Sequence, residues 1–228
     1  MPATLGLVAA LLMGWGDEIT ILPSKGDPLH AAWQLGIAQL DKPGERTRET
    51  LRRFDVEDRY RRDPERALAT LENYARRGPE PELMYALAEL SWIEGRRAEH
   101  KWRGGAEALK HYTDTVAYAY DYLFDPALAQ GRSTSDPRHL LACSLYNAAL
   151  DRLLHAASTK EGLKPGGEVR LNIHGSEQVM KLTLQAQTLW KPEDIQELLL
   201  ASDFEVGGLD SRNHRFGLGV PLIAVKRT

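Results

Sequence analysis

The chain has 228 residues, of which 43% are hydrophobic and 27% are charged, and its formal net charge is -3. These values are typical of a folded protein with one well-filled core, or with one domain and a smaller appendage. Because there is no basic excess, nucleic-acid binding is not expected. The single cysteine, Cys143, excludes an intrachain disulfide and a cysteine-cluster metal site. Its apolar neighbours indicate a small buried hydrophobe rather than a nucleophile.

The first 23 residues have two interpretations. Leu5–Trp15 is an apolar run with the length of a signal peptide, too short to span a bilayer, and no Lys or Arg precedes it. It is either the remnant of an export signal, on an exported or envelope-associated protein, or an N-terminal strand or helix of a cytoplasmic domain. Within this region, Ile19–Pro23 is predicted as a short strand.

An acidic residue stands directly before a proline at five positions, and most of these pairs precede a helical pattern. Aspartate is a good N-cap, proline fits the first helical position, and the negative charge suits the positive end of the helix dipole. The pairs are Asp27-Pro28, Asp63-Pro64, Glu80-Pro81, Asp125-Pro126 and Asp136-Pro137.

Apolar residues at helical spacing predict six helices before residue 160. Their predicted ranges are 28–40, 45–62, 64–77 with a stop at Gly78, 81–94 with a stop at Gly95, 106–123 and 137–156. The short loops between them favour antiparallel pairs. The stretch 85–118 alternates small and large residues in the manner of one tetratricopeptide (TPR) hairpin.

The pattern changes after Thr159, and a glycine-rich linker over 162–167 is followed by short elements. We predict paired strands over 169–173 and 179–184, a helix over 192–200, a short strand at 204–206 and a terminal strand over 220–225. The terminal strand pairs with 169–173 or 179–184, or polypeptide beyond Thr228 completes it.

The predicted fold class is therefore mainly α, with TPR-like antiparallel helical hairpins and a small C-terminal α+β part of three to four short strands. The predicted divisions are a leader or strand over 1–23, a helical-hairpin domain over 24–160 and a strand-containing segment over 161–228.

The sequence contains no recognisable catalytic, metal or cofactor site. None of the seven histidines lies in an HExxH motif, and no two are four residues apart, so no metal site is predicted. His174–Gln178 lacks the second glycine of a nucleophile elbow, which disfavours a triad of Ser176, His214 and Asp203. Gly217–Pro221 lacks the lysine of a phosphate-binding loop and is interpreted as a tight turn into a strand. No cofactor is expected.

Tyrosines are dense between residues 112 and 124. At helical spacing most of them are expected to pack in the core, and the remainder to line a groove, because tyrosine combines apolar area with a hydroxyl. The candidate groove residues are Tyr112, Tyr118 and Tyr120.

Several short motifs occur in a fixed order: Tyr60–Pro64, Leu87–Leu90, Ala117–Phe124, Asp136–Arg138, Ala142–Asn147, Gly208–Leu209 and Gly217–Ala224. As an ordered set they resemble the N-terminal region of large bacterial α/β-hydrolases, over roughly residues 45–228. Those proteins are often exported or lipoprotein-like, and they place a helical domain and a few strands ahead of the catalytic domain.

The resemblance implies a non-catalytic accessory domain that shapes or covers the active site of an esterase- or lipase-like domain lying beyond Thr228. No catalytic residue is carried over, because none of the matching positions belongs to the triad. The alternative is a stand-alone TPR-like module that binds a peptide or partner protein. An enzyme acting through Ser176 is a third and weaker hypothesis. No transmembrane helix is expected.

Overall fold

A computed structural model describes residues 20–23, 37, 40–131, 135–158, 163, 167–173, 176–181, 192–207 and 218–226. The fold is mainly helical, with a small C-terminal two-stranded antiparallel sheet. The described helices are α1 Glu45–Arg53, α2 Glu57–Arg62, α3 Pro64–Arg77, α4 Pro81–Glu99, α5 Gly105–Phe124 and α6 Pro137–Ala157. The described strands are β1 Thr20–Pro23, β2 Glu168–Ile173, β3 Ser176–Lys181, β4 Ile195–Leu200, β5 Phe204–Gly207 and β6 Leu222–Lys226.

Helix α4 is the centre of the fold. Every residue from Leu83 to Gly95 is buried, and a helix that is buried on all sides must be covered on every face by other elements. Helices α1, α3, α5 and α6 all pack against it, and α6 also packs on α5. The main apolar core therefore surrounds α4 and includes Trp92, Leu71 and Leu145.

Three predicted helices and two predicted caps are confirmed. Helices α3, α5 and α6 match the predicted ranges within a residue. The Asp63 carboxylate accepts a hydrogen bond from the backbone N–H of Arg66 at 3.1 Å, and Asp136 accepts one from Arg138 at 2.9 Å. Asp125 caps only a 3-10 turn over Pro126–Gly131. Asp27-Pro28 and the predicted helix over 28–40 lie outside the described residues, apart from residues 37 and 40.

The predicted helix over 45–62 is wrong in one respect, because it is broken into α1 and α2. Asp55 has φ 54° and takes the left-handed position after α1, which aspartate tolerates better than most residues. The Val56 N–H bonds to the Leu51 carbonyl and the Asp55 N–H bonds to the Arg52 carbonyl. This is a Schellman ending, and Leu51 and Val56 are both buried beside it.

The predicted stop at Gly95 is also wrong, because α4 continues to Glu99. Gly95 faces Tyr112 and His111 of α5. A Cβ atom at this position would lie 2.8 Å from Cε1 of Tyr112, which is closer than carbon atoms pack. Gly95 is therefore required by the packing of the tyrosine ring and does not end the helix.

The predicted helix over 192–200 is a strand. Only Pro192–Asp194 forms a helical turn, and β4 then pairs antiparallel with β6, with Leu198 opposite Ala224. The terminal strand thus has a partner that differs from both predicted strands. Three apolar residues of β4 are buried, namely Ile195, Leu198 and Leu200. The pairing with β6 therefore places the apolar side of β4 against the rest of the protein. Long-range hydrogen bonds override the local helical pattern here.

Strands at the predicted positions 19–23, 169–173, 204–206 and 220–225 are confirmed within two residues, whereas β3 begins at Ser176, three residues before the predicted range 179–184. Strands β2 and β3 pair antiparallel from Glu168 opposite Lys181 to Ile173 opposite Ser176, and residues 182–184 lie outside the described part of the chain. Strand β1 pairs antiparallel with β5. A second apolar cluster, which contains Leu154 of α6 together with Leu163, Ile195, Leu198 and Leu200, joins the β4–β6 sheet to α6. Over the residues described, no helix combines the length and apolar character needed to cross a bilayer.

We predict that Gly95→Ala destabilises the protein. Overpacking against Tyr112 is expected to cost about 1–3 kcal/mol, which exceeds the gain in helix propensity of about 1 kcal/mol. Urea denaturation measures the difference in the free energy of unfolding. Gly105→Ala is the matched control, because a Cβ atom there meets no atom within 4 Å and should leave stability unchanged or slightly raised. Equal stability of Gly95→Ala and the parent would contradict the packing role.

Candidate functional site

The three predicted groove tyrosines do not share a surface. Tyr112 and Tyr118 are only 3% and 4% exposed, whereas Tyr120 is 52% exposed. The Tyr112 ring packs on Trp92 of α4, with ring centroids 5.3 Å apart, and burial raises the pKa of both buried hydroxyls. The placement of Tyr112 and Tyr118 in a ligand groove is therefore corrected. Both side chains are used in the core around α4.

Tyr120 instead belongs to an exposed aromatic patch, which we define as Tyr120 and Phe124 of α5 and Tyr146 of α6. The Tyr120 ring lies 4.8 Å from that of Phe124 and 6.4 Å from that of Tyr146. Phe124 is 42% exposed and Tyr146 is half-buried. Tyr120 and Phe124 meet because residues four apart share one face of a helix. Exposed aromatic clusters of this kind are enriched at protein interfaces.

A serine, a histidine and two aspartates meet where the C-terminal segment joins α6, but not in a catalytic order. The Ser202 hydroxyl donates to Asp151 at 2.8 Å, and His155 Nε2 lies 3.2 Å from Asp203. A serine nucleophile needs its hydroxyl on the imidazole, and here the hydroxyl is on a carboxylate. Asp151 is buried, which raises its pKa. The cluster therefore fastens the segment to α6.

The residues weighed for catalysis lie in separate elements where the structure describes them. Asp203 lies beside His155, Ser176 begins β3, and His214 lies outside the described residues. Cys143 is half-buried against the core, and burial raises the pKa of its thiol. A nucleophilic cysteine needs a lowered pKa, so this environment agrees with the interpretation of Cys143 as a small hydrophobe.

A cavity with a volume of about 460 Å³ lies beside α1, α2 and α4. Its lining includes three arginines, which give it a basic character. Each arginine has an acidic partner: Arg48 pairs with Glu45, Arg61 with Glu57 at 3.1 Å, and Arg97 with Glu94 at 2.6 Å. The charge of the lining is thus largely neutralised within the protein.

Two buried carboxylates on α4 were missed by the sequence reasoning. Glu89 accepts hydrogen bonds from the Gly44 N–H at 2.5 Å and from the Thr47 hydroxyl at 3.1 Å. Glu94 accepts one from the Tyr60 hydroxyl at 2.6 Å. Buried charges need such partners, so both carboxylates tie α1 and α2 to α4. In the sequence, these two glutamates stand out as charged residues within a helix whose other residues are largely apolar.

One group has the composition of a metal site, namely Glu65 of α3 with Glu107 and His111 of α5. A ligand atom from each residue lies within 4.8 Å of the others, and His111 Nε2 is 2.8 Å from Glu65 Oε1. His111 is 1% exposed, and burial lowers its pKa, which favours the neutral imidazole. The sequence search looked for histidine pairs and cysteine clusters. The Glu107–His111 spacing of four residues was the available signal.

A charged network surrounds the start of α6. One carboxylate oxygen of Asp136 accepts a hydrogen bond from the Arg138 guanidinium at 2.6 Å. The other oxygen accepts one from the Arg46 side chain, also at 2.6 Å. Arg138 also donates to Glu82 of α4 at 3.0 Å. These contacts, above all the hydrogen bonds from Arg138, lower the pKa of Asp136 to about 2. The network joins α1, α4 and α6 at one end of the helical core.

Comparisons with protein-family models, with curated proteins and with solved structures find no match to the chain. The resemblance to the N-terminal region of α/β-hydrolases consequently stays a prediction.

We predict that Asp136→Asn lowers stability at neutral pH but not in acid. Because the folded-state pKa is lowered, the carboxylate stabilises the fold above its unfolded pKa of about 3.9, and this contribution is lost as the pH falls towards 2. The loss at pH 7 is expected to be about 1 kcal/mol or less for a partly exposed pair.

Urea denaturation of both proteins at pH 7 and at pH 1.5, below the folded-state pKa of about 2, measures this difference. Asp58→Asn is the control, since Asp58 is 79% exposed and pairs only within its own helix turn. A loss of stability for Asp136→Asn that is the same at both pH values would contradict the stabilising role of the ionised carboxylate.

Proposed function

We propose that the chain is a non-catalytic accessory domain that docks on the catalytic domain of an α/β-hydrolase and shapes or covers its active site. The observation that carries the proposal is the aromatic patch of Tyr120, Phe124 and Tyr146, which spans α5 and α6. In this proposal α4, α5 and α6 serve as TPR-like antiparallel hairpins that hold the patch in place.

The chemistry of the patch supports protein docking. Aromatic side chains bury a large apolar area at little cost in side-chain entropy, and tyrosine adds a hydroxyl that can bond at the rim. Rigid helices fix all three rings, so little ordering is needed on binding. The rings are close enough to be covered together by one partner element.

The choice of partner is supported by where the patch lies in the sequence. Tyr120 and Phe124 belong to the motif Ala117–Phe124, and Tyr146 belongs to Ala142–Asn147. Both motifs are part of the ordered set that resembles the N-terminal region of α/β-hydrolases. Tyr120 and Phe124 remain partly exposed, so a contact with the catalytic domain gives a reason for aromatic residues at these positions.

The stand-alone peptide-binding module is less well supported. Two of its three groove residues, Tyr112 and Tyr118, are buried against neighbouring helices. Only Tyr120 is available, and it belongs to the patch.

We predict that a photo-crosslinking residue in place of Tyr120 joins the patch to an α/β-hydrolase domain. The residue p-benzoylphenylalanine is incorporated at position 120 in the producing cells, and crosslinked peptides are identified by mass spectrometry. The control is the same residue in place of Tyr74, which is 41% exposed on α3 but outside the patch. Equal crosslinking at both positions, or partner peptides from a protein that is not a hydrolase, would contradict the proposal.

An immunoblot with an antibody against this domain measures the mass of the native protein and complements the crosslinking test. A band above 25.5 kDa places the hydrolase domain on the same polypeptide, and a band at that mass makes it a separate partner.

We also predict that the purified chain does not hydrolyse 4-nitrophenyl acetate faster than its Ser176→Ala variant, because among the described residues the serine that lies near a histidine, Ser202, directs its hydroxyl to a carboxylate. Steady-state release of 4-nitrophenolate measures the rate. Turnover that Ser176→Ala abolishes would show that the chain is an enzyme in its own right.

A further inference from the structure

The cluster of Glu65, Glu107 and His111 is independent of the aromatic patch and has a feature that the fold leaves unexplained. Glu65 lies in the first turn of α3, and Glu107 and His111 lie one turn apart on α5. Three side chains from two helices therefore converge at one point. Both glutamates are exposed, whereas the imidazole is buried behind them.

The unexplained feature is the hydrogen bonding of His111. Neither ring nitrogen forms a hydrogen bond within the described part of the chain, although a buried polar atom without a partner is costly. Nε2 approaches Glu65 Oε1 to 2.8 Å, but the ring N–H direction does not align with that oxygen. The buried imidazole nitrogen and the two carboxylates near it together offer three donor atoms to a cation.

We propose that Glu65, Glu107 and His111 form a binding site for a single divalent transition-metal ion of the zinc class, which would link α3 to α5. One imidazole nitrogen and two carboxylate oxygens are a donor set that zinc accepts, with water completing the coordination. Magnesium and calcium prefer oxygen donors alone, so the imidazole favours zinc and its neighbours in the first transition row.

The distances agree with a shared ion. Two atoms that each lie about 2.1 Å from one zinc ion are about 3 to 3.4 Å apart. The 2.8 Å between Nε2 and Oε1 is close to that range, and the limit of 4.8 Å for the whole set requires only small side-chain movements. Both glutamates are exposed at the helix surface and are free to make such movements.

Two lysines compete for the carboxylates. Lys101 Nζ lies 2.8 Å from Oε1 of Glu107, and Lys110 Nζ lies 3.5 Å from Oε2 of Glu65. The Glu65 carboxylate thus directs one oxygen to Lys110 and the other to His111. The lysines balance the acidic charge without the ion, and they should weaken metal binding because like charges repel. Removal of Lys101 should consequently tighten it.

The test is a titration of the full, metal-free chain with Zn²⁺ by isothermal calorimetry, with Mg²⁺ as the comparison ion. We expect one Zn²⁺ per chain and no heat from Mg²⁺. Glu65→Gln and Glu107→Gln should each weaken Zn²⁺ binding by about 10- to 100-fold or more, since even outer-shell changes cost that much. Lys101→Gln should strengthen binding. Glu49→Gln, an exposed glutamate of α1, is the matched control and should bind as the parent does.

Thermal unfolding gives an independent measurement. An ion that binds only the folded state raises the melting temperature, so Zn²⁺ should raise it for the parent and for Glu49→Gln but not for Glu107→Gln. The Co²⁺ complex should show visible d–d bands that are lost in Glu107→Gln, so the test does not depend on a variant of the buried His111. The proposal is overturned if Zn²⁺ does not bind, or if the glutamate variants bind it as tightly as Glu49→Gln does.

Discussion

The burial of α4 is the constraint on which the rest of the structure depends. A helix that is apolar on all sides is stable only when other elements enclose it, and α1, α3, α5 and α6 do so. Its few polar residues must then be bonded inside the protein, so Glu89 fixes the start of α1 and Glu94 fixes Tyr60 of α2. Gly95 sets how closely α5 approaches. One helix thereby positions all of its neighbours.

Helix α5 packs against both α4 and α6, and both proposed sites include side chains of this helix. The Glu107–His111 pair lies near its N-terminal end, and Tyr120 and Phe124 lie near its C-terminal end. Nine positions of α5 separate His111 from Tyr120, a rise of about 14 Å. The proposed metal site and the proposed docking surface are therefore distinct places on one helix.

The polar contacts of the C-terminal segment attach it to α6 and leave its serine without a base. Ser202 and His155 bond to Asp151 and Asp203 rather than to each other, and Gly219 donates its N–H to the Asn147 side chain of α6. These bonds flank the small apolar cluster beneath the β4–β6 sheet. The geometry fits a structural role for these contacts, which hold the C-terminal segment against α6.

The sequence by itself determined α3, α5 and α6, because helix bonds and caps such as those of Asp63 and Asp136 act within four residues. Tertiary structure alone decided β4: Ile195–Leu200 has a helical apolar pattern, but strand β6 supplies hydrogen bonds from far along the chain. The sequence also could not distinguish the buried tyrosines from the exposed one, since only the packing of α4 decides which rings are buried. Glu65 and His111 come close together from two different helices. The spacing of residues along the sequence contains no information about the distance between them.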